Sequence, residues 1–136
     1  MLIKEFISET NKNQMISTLL KHYKVGSVKL KYKSMKDYAH FDVDRGTLQL
    51  STKYKSIKPS QIKEFLVTIL HEIYHAMDSK TRGWKKFKAD YEWEMNYQIS
   101  QGKHQYKDNK FEIEAEVFGE KNWQKWYNRF KKEGLI

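Results

Sequence analysis

Gln61-Ile62-Lys63-Glu64-Phe65-Leu66-Val67-Thr68-Ile69-Leu70-His71-Glu72-Ile73-Tyr74-His75-Ala76-Met77-Asp78 decides how this chain is read. Inside it, His71 to His75 spell H-E-x-x-H. The stretch holds no Gly or Pro, and Pro59-Ser60 just before it suits a helix start, because proline is preorganised for the first helical position. Ile62, Phe65, Leu66, Ile69, Ile73, Ala76 and Met77 fall at the spacing of one buried helical stripe. With about 3.6 residues per turn, His71 and His75 lie roughly opposite that stripe, and Glu64, Thr68, Glu72 and Asp78 share their side. Residues i and i+4 stand one above the other on a helix face. Two imidazoles held so can bind one divalent metal, and the Glu between them can work on water there. Histidines that merely filled a core would have fallen on the stripe.

A catalytic zinc site usually takes three protein ligands and water. The chain has no cysteine, so a third ligand must be His, Asp or Glu. The favoured region is Lys107-Asp108-Asn109-Lys110-Phe111-Glu112-Ile113-Glu114-Ala115-Glu116-Val117-Phe118-Gly119. Asp108 or Asn109 can cap a helix, and acidic residues suit its first turns. Glu112 and Glu116 are an i, i+4 pair with Ala115 and Gly119 beside them, and small residues there would let this helix approach the motif helix closely. A mid-helix glycine costs about 1 kcal/mol relative to alanine, and close packing is a reason to bear it. Glu114, Asp78 and His104 are the rival ligands.

Leu70 to Asp78, followed at a distance by Phe111 to Phe118, resembles the gluzincin pattern of zinc metallopeptidases, and in particular its small single-domain members, the minigluzincins. The resemblance implies Zn2+ held by His71, His75 and Glu112, with Glu72 as general base and acid. It also implies that Glu116 is the outer carboxylate that orients a ligating histidine. The family usually has Asp or Asn at that last position, and Glu is one methylene longer. The metzincin pattern is excluded, because Asp78 and Thr81 stand where it needs Gly and His. Families with an all-His site, among them the SprT-like proteases, would use His104 instead. Such enzymes stabilise the oxyanion with His or Tyr, for which Tyr91, Tyr97, His104 and Tyr106 are candidates.

The remaining chain suggests an α+β domain over residues 1–136: an N-terminal helix, a small three-stranded and mainly antiparallel sheet, the H-E-x-x-H helix, an intervening helix and the glutamate helix. Residues 2–24 read as one helix or a broken pair, stopped by Gly26. Val28, Leu30 and Tyr32 alternate with Lys29, Lys31 and Lys33 as in a half-buried strand. Tyr38 to Val43 alternates likewise, Asp44-Arg45-Gly46 reads as a turn, and Thr47 to Ser51 as the returning hairpin strand. In gluzincins an edge strand above the metal holds an extended peptide, a role that falls to Tyr38–Val43. Residues 84–100 suggest a further helix whose Trp84, Phe87, Tyr91, Trp93 and Tyr97 belong to the core.

At 136 residues the chain can bury a core without staples. The absence of cysteine excludes disulfides and thiolate metal sites, and with an opening that is not a leader peptide it suits a cytoplasmic protein. No apolar run approaches membrane length. The net charge of +9, from 26 Lys and Arg against 17 Asp and Glu, admits non-specific nucleic-acid binding through a Lys-rich surface. Arg45, Arg82 and Arg129 are the only arginines, so contact would be with phosphate and salt-sensitive, not base readout. Two activities are therefore expected: zinc-dependent peptide hydrolysis, or a nucleic-acid-associated protein whose zinc is structural.

Overall fold

The computed structural model describes residues 6–26, 28–36, 38–42 and 46–136. The first helix, α1 (Glu9–His22), begins later than the apolar pattern suggests. Ile7 is drawn into an antiparallel bridge with Ile57, and Ser8 behind it takes extended dihedrals. The Ser8 hydroxyl then accepts the backbone N–H of Asn11 at 3.1 Å. That local bond sets the start, since a serine cap competes successfully with helix continuation. The part of the expected helix in residues 2–5 lies outside the described residues. The stop is also not at Gly26. Lys24 adopts a φ of 55°, and Val25 N–H returns to Leu20 C=O at 3.3 Å, a Schellman-type ending two residues earlier.

The sheet is mixed rather than mainly antiparallel. Its strands are β1 (Lys29–Lys33), β2 (Ala39–Asp42) and β3 (Thr47–Ser51), in the order β1-β3-β2. β3 pairs antiparallel with β2, with Phe41 opposite Leu48, and parallel with β1, with Leu30 opposite Leu48. The hairpin that follows β1 folds so that its returning strand fills the centre. Alternation in a sequence assigns faces, not neighbours, so the parallel pairing was not visible there. Val43 of the expected strand and Asp44 and Arg45 of the expected turn lie outside the described residues, and Gly46 has a φ of 58°. β2 is left as an edge strand.

Pro59–Gln61 forms a short 3-10 turn that leads into α2 (Ile62–Arg82), the H-E-x-x-H helix. Its stripe of Phe65, Leu66, Ile69, Leu70 and Ile73 packs on Leu48 and Leu50 of the sheet and on Met15 and Leu19 of α1, all essentially buried. Gly83, at a φ of 85°, turns the chain into α3 (Trp84–Ser100), and α4 (Lys110–Lys132) follows a loop. Trp126 and Phe130 of α4 complete the core. Each such side chain contributes on the order of 1.5–3 kcal/mol by leaving water. Among the described residues no helix is long and apolar enough to cross a membrane.

The expectation that the α3 aromatics belong to the core needs correction. Phe87 is buried, but Trp84, Trp93 and Tyr97 are 46 %, 64 % and 45 % exposed. The face turned inward carries Phe87, Tyr91 and Glu94, whereas Trp93 and Tyr97 stack on each other on another face, with ring centroids 5.3 Å apart. Both faces carry aromatics at helical spacing, so periodicity alone could not choose between them.

At Gly119, α4 packs directly against the Val67 backbone of α2. A Cβ built there would stand 2.8 Å from the backbone oxygen of Val67 and 3.2 Å from Val67 Cγ1. Gly119→Ala should therefore lower stability by about 1–3 kcal/mol through overpacking, despite alanine's better helix propensity. Urea unfolding checks this, and an unchanged or raised midpoint would contradict it.

Candidate metal centre

His71 and His75 project from successive turns of α2, their ring centroids 4.9 Å apart and their planes at 76°. The face opposite the apolar stripe is only partly open to solvent. Glu72 is only 8 % exposed and His75 9 %, because β2, α3 and α4 close over this side of the helix. What remains is a cleft of about 1040 Å³ walled by those elements and by the loop before α4.

α4 reaches the histidines because its inner side is stripped of bulk. Ala115 is fully buried and Gly119 lies against Val67. The helix starts at Asn109, whose buried side chain accepts the N–H of Phe111 at 2.9 Å. Glu112 and Glu116 thereby face α2 from its first two turns. Glu112 Oε1 lies 3.1 Å from His71 Nε2 and also contacts His75 Nε2. Glu116 Oε2 accepts from His71 Nδ1 at 2.9 Å. The extra methylene of Glu116, relative to the Asp or Asn of the resembled family, still permits this contact.

The donor set suits zinc. One oxygen and two imidazole nitrogens lie within 4.8 Å of one another, with no thiolate among them. Bonds of about 2.0–2.1 Å place tetrahedral ligand atoms about 3.3 Å apart, close to the 3.1 Å between His71 Nε2 and Glu112 Oε1. His75 Nδ1 is buried without a hydrogen-bond partner. Of its two ring nitrogens, only Nε2 is turned towards Glu112.

The rival ligands lie elsewhere. Glu114 accepts instead from the Tyr74 hydroxyl at 3.2 Å, and Asp78 pairs with Arg82 at 2.6 Å. His104 lines the cleft outside the cluster, and its Nδ1 accepts the backbone N–H groups of Tyr106 and Lys107, each at 3.1 Å. His22 packs edge-on to Trp126, and His40 lies on β2 at the cleft wall. Of the oxyanion candidates, His104 and Tyr106 line the cleft. Tyr91 lines it too, but its hydroxyl donates to Glu112 Oε2 at 3.1 Å. Tyr97 is occupied by stacking with Trp93.

Sequence reasoning missed Glu94. Its buried carboxylate accepts Lys110 N–H at 2.9 Å and Gln98 Nε2 at 3.0 Å, so α3 caps the first turn of α4. Glu92 and Glu94 flank Trp93 alike, and nothing in the local pattern singled out Glu94 for that role.

Glu72 and Glu112 are pushed in opposite directions. Burial raises the pKa of Glu72. Glu112 is also desolvated, but hydrogen bonds and charge from His71 and His75 outweigh that and hold it well below the usual carboxylate range. Burial alone would lower His71, yet Glu112, Glu72 and Glu116 together bring it up to about 9. In the metal-free protein both nitrogens of His71 face carboxylate oxygens, which can only accept. A metal ion at Nε2 would have to displace the proton there.

No protein-family model, curated protein or solved structure matches this chain.

A histidine whose folded pKa exceeds its unfolded value of about 6.5 contributes stability that is complete below that value and lost as pH rises through the folded one. The chelator-treated protein should accordingly lose stability between about pH 6.5 and 9, the upper limit set by His71. Thermal melts across that range check this, and Glu112→Gln should flatten the profile. A wild-type melt independent of pH there would contradict the coupling.

Proposed function

We propose that this chain is a zinc-dependent metallopeptidase, with His71, His75 and Glu112 as metal ligands. The observation that carries the reading is the convergence of one Glu112 oxygen on both H-E-x-x-H imidazoles within a cleft. Zinc, when bound, supplies Lewis-acid chemistry that polarises a carbonyl and acidifies water. His71 is oriented by Glu116, which accepts the hydrogen bond from Nδ1–H, keeps the proton on that nitrogen and leaves Nε2 for the metal.

Glu72 is the proton carrier. Its carboxylate lines the cleft beside both histidines, and burial favours its protonated form. A carboxylate oxygen of Glu72 takes a proton from the attacking water, holds it, and passes it to the leaving nitrogen. Glu112, stabilised as an anion, cannot share that work. Two carboxylates in one site with pKa values driven apart is the pattern expected of divided roles.

β2 offers a place for an extended substrate. Ser51 N–H bonds Tyr38 C=O at 2.8 Å, so the alternation of an antiparallel ladder turns the peptide groups of His40 and Asp42 towards β3. Those of Ala39 and Phe41 then face the free edge, along the cleft. A peptide added there as a further strand would be held by its backbone, with little demand on its side chains.

A second reading has one specific observation behind it. Lys29, Lys31 and Lys33 are exposed on the outer face of β1, and among the described residues none has an ion-pair partner. Such a row suits phosphates, and a nucleic-acid-associated protein with a structural zinc would show salt-dependent binding without peptide cleavage.

Glu72→Gln separates the two. The peptidase account expects retained zinc and a loss of cleavage of at least about 10²–10⁴-fold on a peptide library, because the proton carrier alone is gone. Equal cleavage by wild type and variant would overturn the assignment of Glu72.

A further inference from the structure

Tyr91 lies with Phe87 on the inner face of α3, apart from Trp93 and Tyr97. Trp93 and Tyr97 turn outward, whereas Tyr91 packs on Phe87 and Phe111 with ring centroids 6.1 and 5.9 Å away, and lies 6.4 Å from the ring of His75. This packing fixes the ring, and the hydroxyl then falls on Glu112 Oε2 at 3.1 Å. Glu112 Oε1 is the oxygen that meets the histidines. The two oxygens of one carboxylate are thus divided between different partners. One turn further along α3, Glu94 holds Lys110 N–H, so α3 grips the first turn of α4 at both its backbone and its key side chain.

We infer that Tyr91 is a positioning residue of the metal site: by donating to Glu112 Oε2, it presents Oε1 alone to the ion and keeps the carboxylate from binding through both oxygens. This rests on the assignment of Glu112 as a ligand. The consequence is chemical as well as geometric. A carboxylate bound through both oxygens takes up the position that a catalytic zinc must leave open for water or substrate. The phenol donates a proton to an anion without adding charge, so it orients Glu112 while leaving its negative charge for the metal. Tyr91 is consequently not free to stabilise an oxyanion, which leaves that task to a donor elsewhere on the cleft wall.

The test uses Tyr91→Phe, which keeps the ring and its packing and removes only the hydroxyl. Tyr97→Phe, on the same helix but turned away from the cleft, is the control. Zinc dissociation constants come from competition with a chromogenic chelator, and Co2+-substituted protein supplies visible spectra. Loss of an outer partner of a metal ligand typically weakens affinity about 10–100-fold. That loss is expected for Tyr91→Phe and not for Tyr97→Phe, with weaker cobalt d–d bands as coordination number rises. In the Glu112→Gln background, Tyr91→Phe should cost little more, since the two residues act as a unit. Wild-type affinity and an unchanged cobalt spectrum in Tyr91→Phe would overturn the inference while leaving Glu112 as ligand. Zinc binding that is insensitive to Glu112→Gln would overturn the inference together with the ligand assignment.

Discussion

The close contact between α2 and α4 at Ala115 and Gly119 is the constraint on which the rest of the structure depends. An α-helix carries its side chains some distance from its axis, and a carboxylate from one helix reaches imidazoles on another only when the backbones are near. Removing bulk from α4 one and two turns past Glu112 achieves that nearness. The apolar stripe of α2 supports it from the opposite side, since it fixes the rotation of α2 against Leu48, Leu50, Met15 and Leu19. With that rotation set, His71 and His75 have no choice but to face α4.

Desolvation is the other side of the same packing. Burying Glu72, Glu112 and two histidines in one cleft is unfavourable unless each charge has a partner. Glu112 has three, from His71, His75 and Tyr91. Glu72 sits among the histidines' charges, but burial dominates and favours its neutral form. A single environment therefore yields one fixed anion and one residue suited to carry a proton. At the start of α4, Asn109 accepts the N–H of Phe111 from within the turn and Glu94 accepts that of Lys110 from across on α3, two N–H groups that have no partner within the helix.

Much of this was legible in the sequence because the signals are local. The stripe from Ile62 to Met77 carries its own period, Asn109 its own cap, and Ala115 with Gly119 a side without bulk; the structure has α2, the start of α4 and the close contact accordingly. It also brings His71, His75, Glu112 and Glu116 together. What was not legible depends on partners distant in sequence. Ile7 looks helical until Ile57 takes it into a bridge, and β3 looks like a hairpin return until β1 is found on its other side. The inner face of α3 was hidden because Trp93 and Tyr97 repeat the spacing of Phe87 and Tyr91. The partners of Tyr91 and Glu94 lie in α4, beyond the reach of any pattern within α3.

The central claim is that His71, His75 and Glu112 together hold one zinc ion, and metal content tests it most directly. Protein purified without chelator, wild type and Glu112→Ala side by side, would be assayed for zinc per chain by elemental analysis. The account predicts close to one zinc per wild-type chain and clear loss in the variant. Wild-type protein that takes up no zinc even after its addition, or a Glu112→Ala variant that retains it fully, would contradict the account.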